Sequence, residues 1–558
     1  MQRVKIPGGA SQTTVLPRAK IGWRAVAAFL GAVCLASAVE STNSMYKPPQ
    51  AVAGGLDPRV SITSIVKTQD TVTITWSGFL KPFTVQQTPS LTSPSWQTIL
   101  STTDTKGTVP TQGAMGLLRI QSPTPIYFGT MACRSCHTGV HDSWTNTAHA
   151  GAFETLKRIR QDKNPNCLPC HTVGYGLPTG FINESSTPEL AGVQCENCHG
   201  PAGRHLFDTD DLSARPKVTI AAETCGGCHT DFHHPTYDEW KESAHGQPNP
   251  EIVSSINAQG QSRMLACGPC HAGAVRVALL GQLSVTNTTD LVVPSREDAT
   301  YFPITCAVCH NPHENTLASQ TRNPTYSLIP FSYSTSTNTS FAAQYNPDVQ
   351  LCAQCHNLRG GRWQDTSRPP HHSPQYNMLI GNGGFDLGLS FIATHGLEIQ
   401  QQCAHCHTHP HEENPPSEDS PNYTGHGFYP TLESCVECHG EGGAEGLLQF
   451  TQGRTQEEIQ EVVGLLNSWA TNKAPTALRD KYGPLAWEYN NPGVLSNAGT
   501  NKGPTTAEQG SVPDAIKQAR FNLYLVQHDG SFGVHNGIYA DILIDIAKTN
   551  AVSELAKP

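Results

Sequence analysis

Nine copies of the pattern Cys-x-x-Cys-His account for eighteen of the 19 cysteines in the chain. Two thiols and an imidazole within about one turn can bind one porphyrin through two thioethers and coordinate its iron, so the pattern is typical of c-type haem attachment. A disulfide framework needs no histidine after each cysteine pair, and zinc sites would combine the pairs two by two, which an odd number prevents. The motifs therefore predict nine covalently bound haem c groups.

The motifs supply both the thioether cysteines and the first axial ligand of each iron. The predicted haem-binding cysteines are Cys133, Cys136, Cys167, Cys170, Cys195, Cys198, Cys225, Cys228, Cys267, Cys270, Cys306, Cys309, Cys352, Cys355, Cys403, Cys406, Cys435 and Cys438. The predicted proximal ligands are His137, His171, His199, His229, His271, His310, His356, His407 and His439. Every motif ends in histidine and none in lysine.

The second axial ligands must come from the sixteen histidines that do not end a motif, out of 25 in the chain. Histidine is a common metal ligand, and here its supply nearly matches the demand of the irons. The predicted distal ligands are His149, His205, His234, His245, His313, His372, His426 and His535. His149 and His245 share the pattern Trp-x-x-Ser/Thr-Ala-His. His313 should serve a neighbouring haem, because it lies too close to His310 to reach across the same porphyrin.

The sequence leaves some distal assignments open. Adjacent or nearly adjacent histidines compete in three places, and further histidines lack a local pattern that favours ligation. The competing pairs are His233 and His234, His371 and His372, and His409 and His411; the undecided residues are His141, His395 and His528. His405 lies inside a motif and is expected not to be a ligand.

Composition indicates an acidic chain whose interior is not filled by aliphatic side chains. The formal net charge is −10, and each haem would add two propionates. Nucleic-acid binding is excluded because it requires a basic footprint. Charged residues make up 15% of the chain, against about 25% in ordinary domains. With 49 glycines and 41 prolines, the sequence predicts loops packed around porphyrin.

The N-terminus has the features of an export signal. Basic residues precede the 14-residue apolar run AVAAFLGAVCLASA at 25–38, which is short for a membrane span of about 20 residues. The Ala-Ser-Ala that ends the run suits signal-peptide cleavage. The alternatives are an uncleaved membrane anchor and a lipid attached to Cys34. Lipidation is disfavoured because the preceding Gly-Ala-Val lacks the leucine that a lipoprotein signal requires. We expect an exported, periplasmic or extracellular protein.

The predicted organisation has five parts: a signal peptide at 1–38, a linker at 39–58, a β-sandwich at 59–121, a nine-haem domain at 127–450 and a helical segment at 455–550. The β-sandwich is predicted from alternating runs such as Val72-Thr73-Ile74-Thr75-Trp76, and serves as a docking module or a passive spacer. EEIQEVVGLLNSWA, DAIKQARFNLYLVQ and GIYADILIDIA predict three helices, the second capped by Ser511. The helical segment should supply distal histidine.

Residues 127–229 resemble the tetrahaem cytochrome c that accepts electrons from hydroxylamine oxidoreductase. The matching stretches are CRSCHTGVHDSWTNTAHAGAFETL, CLPCHTVGYGLPTGF and LAGVQCENCHGPAGRH. CGGCHTDFHHPTYDEWKESAHG and HDGSFGVHNGIYADILIDIA resemble octahaem cytochromes of the hydroxylamine oxidoreductase and nitrite reductase class. The resemblance implies a mainly α multihaem cytochrome c with a stacked haem core. It also implies that His149 and His205 are distal ligands, and that the haem on His171 lacks a sixth ligand.

Two departures limit what the resemblance implies about catalysis. Nine haems exceed the number in either family, and the Cys-x-x-Cys-Lys motif of the pentahaem nitrite reductase is absent. The sequence also offers no basis for assigning a cross-linking tyrosine.

The sequence favours electron transfer through nine haems over catalysis. The alternatives are a multihaem oxidoreductase acting on a small nitrogen or sulfur compound at one open haem, and a subunit of a conductive cytochrome filament. The candidate partners are redox proteins or a terminal acceptor, a quinol-oxidising membrane protein or an outer-membrane electron-transfer protein, and further copies of the chain.

Overall fold

The computed structural model describes residues 61–68, 71–77, 83–88, 96–102, 104–110, 117–121, 126–282, 291–322, 351–389, 391–399 and 401–558. All nine motifs and all 25 histidines lie within these ranges. The predicted signal peptide, the predicted linker and Cys34 lie outside them.

A small β region precedes the motifs, as predicted. Its strands are β1 (Ser61–Lys67), β2 (Thr71–Ser77), β3 (Phe83–Thr88), β4 (Gln97–Thr102), β5 (Lys106–Pro110) and β6 (Leu117–Gln121). They form two antiparallel three-stranded sheets with the orders β1-β2-β5 and β4-β3-β6. Both sheets contribute to one core, in which Trp76 meets Phe83 edge to face at 5.7 Å. Strand alternation places Ile74 and Trp76 on the buried face.

Short helices separated by loops form the motif-bearing region. They are α1 (Thr130–Arg134), α2 (Thr138–Trp144), α3 (Ala152–Arg158), α4 (Leu168–His171), α5 (Cys195–His199), α6 (Gly203–Phe207), α7 (Glu223–Gly226), α8 (Thr236–Glu242), α9 (Pro250–Gln259), α10 (Gln261–His271), α11 (Gly273–Leu280), α12 (Arg296–Tyr301), α13 (Cys306–Cys309), α14 (Gln375–Leu379), α15 (Thr394–Glu398), α16 (Cys403–His407) and α17 (Glu433–His439). Short 3-10 turns occupy Pro188–Leu190, Leu212–Ala214 and Ala318–Gln320. The region is loop-rich and helical, as predicted; haem stacking stays a prediction.

The C-terminal region contains longer helices. They are α18 (Glu441–Asn472), α19 (Thr476–Tyr482), α20 (Asp514–Asp529) and α21 (Gly537–Leu555), with 3-10 turns at Gly483–Trp487, Val494–Ser496 and Glu508–Ser511. Helix α18 begins directly after the ninth motif and continues across residues 450–455, the predicted boundary between the nine-haem domain and the helical segment. All three predicted helices are present.

The prediction that Ser511 caps α20 is wrong. Ser511 ends a 3-10 turn, and Pro513 occupies the N-cap position without a side-chain hydrogen bond. A proline before the helix fixes the backbone without needing a capping oxygen. Helix α21 does have a side-chain cap, because the Asn536 side chain accepts a hydrogen bond from the Tyr539 N–H.

Candidate haem sites

The motifs are wound into single helical turns. The His229 N–H donates to the Cys225 carbonyl at 2.9 Å, and the His356 N–H donates to the Cys352 carbonyl at 2.9 Å. Residues three and four positions apart share one face of such a turn. Both thiols and the imidazole of a motif are therefore presented together, as attachment to one porphyrin requires.

Seven motif histidines each face a histidine from elsewhere in the chain. The pairs are His149 with His229, His199 with His313, His245 with His356, His271 with His371, His310 with His426, His395 with His439, and His407 with His535. Their ring centroids are separated by 5.9 to 6.2 Å. Each pair thus joins two distant segments around a gap of nearly constant width.

This gap fits one metal ion held from both sides. An ion bonded to a ring nitrogen of each histidine at about 2.0–2.1 Å separates the ring centroids by roughly 6.3 Å. The interplanar angles of the pairs range from 15° to 87°, so a preferred ring-packing geometry does not explain the constant spacing. The residues present therefore fit a haem iron with two histidine ligands.

Hydrogen bonds hold the Nδ1 atoms of many paired rings and leave Nε2 for the gap. The acceptors include the carbonyl oxygens of Lys217 (for His199, 2.7 Å), Ser319 (for His310, 2.8 Å), Phe428 (for His407, 2.9 Å), Thr424 (for His426, 3.1 Å) and Val534 (for His395, 3.1 Å). Such second-shell bonds fix the tautomer and orientation of metal-binding imidazoles. The same arrangement holds the unpaired His171, whose Nδ1 lies 2.8 Å from the Ala152 carbonyl.

Burial favours the neutral, ligand-competent form of most paired histidines. Desolvation lowers the pKa of His229 and of His245 to about 4, and that of His371 to about 3. His535 differs: burial alone would lower its pKa, but the charge of Asp529 and a hydrogen bond to it raise the pKa overall.

Two motif histidines, His137 and His171, face no other histidine ring at this spacing among the described residues. His234 lies near His171: burial lowers the pKa of His234, and the neighbouring His233 and His171 lower it further, against the effect of Asp231. His205 follows the third motif and has a buried Nδ1 without a hydrogen-bond partner. His141 is also buried, with Nδ1 3.1 Å from Asp142 Oδ1 and an Nε2 that has no hydrogen-bond partner. The remaining candidate ligands among the described histidines are thus His141, His205 and His234.

The structure distinguishes the histidines that the sequence left open. His371, rather than the predicted His372, faces His271, and His395 faces His439. His372 instead stacks on His528 with ring centroids 3.6 Å apart, which leaves no room for an ion between the rings. His405 Nε2 contacts the Ser434 carbonyl at 3.2 Å, and His411 contacts Glu413 and Glu433 at 3.4 Å.

The motif cysteines reveal which motifs are neighbours. A hydrogen bond between Cys133 and Cys195 lowers the pKa of Cys195 to about 6. The other thiol pairs in hydrogen-bond contact are Cys170 with Cys228, Cys225 with Cys306, Cys270 with Cys355, and Cys352 with Cys403. Electrostatic interactions also connect Cys198 with Cys225, Cys309 with Cys352, and Cys406 with Cys435.

These contacts arrange the motifs in a branched row. The row runs through the first, third, fourth, sixth, seventh, eighth and ninth motifs. The second motif branches from the fourth, and the fifth branches from the seventh. Cys136 and Cys438 are the only exposed cysteines among the eighteen. They belong to the first and ninth motifs, so both ends of the row reach the surface.

Part of the motif region matches a known family. Residues 132–200 match the family model described as cytochrome c554 and c-prime. The chain is 31% identical over 135 residues to cytochrome c-554 of Nitrosomonas europaea, an alignment that covers 19% of this chain and 57% of that protein. It is 24% identical over 295 residues to the multiheme cytochrome MtrA of Shewanella baltica, covering 45% of this chain and 79% of that protein.

Solved multihaem cytochromes align over a larger share of the chain. The outer cell wall cytochrome OcwA aligns with 76% of this chain and 99% of its own, at 17% identity and a TM-score of 0.48. The undecaheme cytochrome from the S-layer of Carboxydothermus ferrireducens aligns with 78% of this chain and 70% of its own, at 18% identity and a TM-score of 0.46.

The predicted resemblance of residues 127–229 to the cytochrome c554 family is confirmed by these matches, and the chain is similar to multihaem cytochromes c that carry covalent haem. It spans little more than half of the length of cytochrome c-554. Within the described residues, no helix is both long and apolar enough to cross a membrane.

Proposed function

We propose that this protein transfers electrons through nine covalently attached haems c. The observation that carries the proposal is the set of seven histidine pairs whose centroids lie 5.9 to 6.2 Å apart. An iron with two histidine ligands has no open position for substrate, so its chemistry is gain and loss of an electron. The protein would tune each potential through the ligands, their hydrogen bonds and burial.

The row of motifs supports a route between two surface sites. Haems attached to neighbouring motifs would lie edge to edge, close enough for electrons to pass directly. The exposed first and ninth motifs are the points where partners would donate and accept electrons. The haems of the second and fifth motifs would lie beside this route as branches.

The two unpaired motifs need separate assignments. We assign His205 to the first motif, because the third motif, which His205 follows, contacts the first through Cys195 and Cys133. His234 is the candidate for the second motif, because it lies near His171. The seventeen-histidine ligand set thus comprises the nine motif histidines, the seven facing rings and His205, with His234 as an eighteenth ligand if the second iron is closed.

Haem stoichiometry and electron capacity test the proposal together. The intact mass of denatured protein should exceed the apoprotein mass by nine haems, and a redox titration should take up nine electrons per chain. A mass increase of seven haems or fewer would refute the stoichiometry. The route would be refuted if the protein carried nine haems but several of them did not exchange electrons with the others.

A second candidate function is reduction of a small nitrogen or sulfur compound at the second motif. It is favoured by the absence of a ring facing His171 at ligand spacing within the described residues. Tyr175 packs beside an apolar cluster that includes Tyr127 and Phe153. Carbon monoxide should bind one haem in nine if this iron is open, and none if His234 closes it. If the reduced protein turns over nitrite, hydroxylamine or a sulfur oxyanion at tens per second, a rate typical of enzymes, its function is catalysis rather than electron transfer.

We infer that the protein is exported, because c-type haem attachment takes place outside the cytoplasm and the apolar run at 25–38 suits a signal peptide. N-terminal sequencing of native protein should begin near Val39. Retention of Met1 would contradict cleavage, and a lipid on Cys34 would favour the lipoprotein alternative.

A further inference from the structure

A buried carboxylate contacts one ring of the proposed ligand pairs. Asp529 ends helix α20, and its side chain is only 1% exposed. Its Oδ1 accepts a hydrogen bond from His535 Nδ1 at 2.6 Å, while its Oδ2 accepts one from the Ser531 hydroxyl. His535 is the ring that faces His407 of the eighth motif.

The loop after α20 is shaped to make this contact. Gly530 ends the helix in the left-handed region at φ 73°, and Gly533 has φ 94°. A Cβ on Gly533 would approach Thr455 Oγ1 to 3.0 Å. Glycine therefore suits this position because it adopts a positive φ without strain and because a side chain would crowd Thr455. Phe532 adopts φ 52°, a conformation that costs free energy in a residue other than glycine. The backbone is thus bent so that His535 returns onto Asp529.

The partner of His535 differs in kind from those of other paired rings. The other hydrogen-bonded rings contact neutral oxygens: carbonyls for His199, His310, His395, His407 and His426, the Ser373 hydroxyl for His371, and the Gln375 amide for His356. Asp142 also contacts a histidine, His141, at 3.1 Å. That carboxylate is 53% exposed, and His141 is not in a ligand pair.

We propose that Asp529 is a positioning residue that sets the reduction potential of the eighth-motif haem below those of its neighbours in the row. This inference rests on the proposed function, because it takes His407 and His535 as the axial ligands. A carboxylate that accepts the Nδ1 proton raises the basicity of the imidazole. A more basic ligand stabilises ferric iron over ferrous iron, which lowers the potential. A negative charge in a buried site is poorly screened and acts in the same direction.

The location of the eighth-motif haem determines how its lower potential would affect electron transfer. The eighth motif lies between the seventh and the exposed ninth motif, next to one end of the row. Its haem should be reduced after the haems of the seventh and ninth motifs and reoxidised before them. It would act as an energetic step that electrons cross on their way to or from the ninth haem.

Potentiometric titration of the holoprotein followed by EPR tests the proposal. Asp529→Asn removes the charge and keeps the shape, so one haem of nine should move to a higher potential while remaining low-spin. Asp514→Asn, which removes a 68% exposed carboxylate from the other end of the same helix, should leave every potential unchanged. An Asp529→Asn protein that retains nine low-spin haems and titrates like the native protein would overturn the proposal.

Ser531→Ala provides an independent test with the opposite sign. Loss of the hydroxyl donor leaves more negative charge on Asp529 for the bond to His535, so the same haem should move to a lower potential. If the Asp529→Asn protein does not assemble, the Ser531→Ala protein provides the test. Haem potentials in Ser531→Ala identical to those of the native protein would then overturn the inference. His535→Ala separates the two proposals: an unchanged spin state would refute ligation, and with it the proposed haem site, rather than the role of Asp529 alone.

Discussion

The motif-bearing region and the C-terminal helices bury their interiors in different ways. The C-terminal region supplies 26 of the 28 buried hydrophobic residues in one cluster, and Leu358 and Met378 of the motif-bearing region supply the other two. The cluster includes Trp469, Trp487 and Tyr524, all at most 1% exposed. Among the described residues between 126 and 440, the other clusters contain only five to seven buried residues each. There, seven motif histidines each face another imidazole ring with ring centroids 5.9 to 6.2 Å apart.

The difference indicates where the stability of each region comes from. Apolar side chains stabilise the C-terminal helices directly, through burial and close packing. The motif region would obtain its apolar surface from the porphyrins and its cross-links from the histidine–iron bonds. The two regions also contact each other, because His535 of the C-terminal loop faces His407 of the eighth motif.

The largest expected effect follows from preventing haem attachment. Chain produced without haem should lose the motif-bearing helices α1 to α17, whereas the helices of 441–558 should persist because their core consists of side chains. Limited proteolysis followed by mass spectrometry should recover a fragment near 441–558 and few protected peptides from the motif region. Equal protection of both regions would contradict the comparison.

A core substitution in the C-terminal region should separate stability from haem chemistry. Leu466 is fully buried in α18, so Leu466→Ala should lower the free energy of unfolding of this region by about 2–5 kcal/mol. Leu447→Ala, at a half-exposed position of the same helix, should change it by less than about 0.5 kcal/mol. Chemical denaturation monitored by far-UV circular dichroism measures both, and the haem spectrum of the folded Leu466→Ala protein should be unchanged. A large shift in that spectrum would mean that the two regions are not separable.

The smallest effect should be confined to one haem. His371→Ala should convert one low-spin haem to high spin without loss of covalent haem, because His371 faces His271 at 6.0 Å. His372→Ala should leave all spin states unchanged, because His372 stacks on His528. Electronic absorption and EPR spectra of both variants provide the measurement, and the reverse pattern would restore His372 as the ligand.

Local sequence patterns predicted the parts of the protein that depend on neighbouring residues. Strand alternation predicted the β region and the buried Trp76, and helical periodicity predicted α18, α20 and α21. The choice between His371 and His372 depends on how the chain approaches α10, which spacing does not encode. Nor does any local pattern mark His395, because its partner His439 lies 44 residues further along. The prediction for Ser511 is wrong because Pro513 already fixes the start of α20.

Quantitative EPR of the fully oxidised protein most directly tests whether histidine pairs close the irons. Seven of the nine motifs have a facing ring at ligand spacing, which leaves only the first and second motifs to their proposed ligands. Spin quantification should therefore give at least seven low-spin haems and at most two high-spin haems per chain. Three or more high-spin haems in intact protein carrying nine haems would contradict the account.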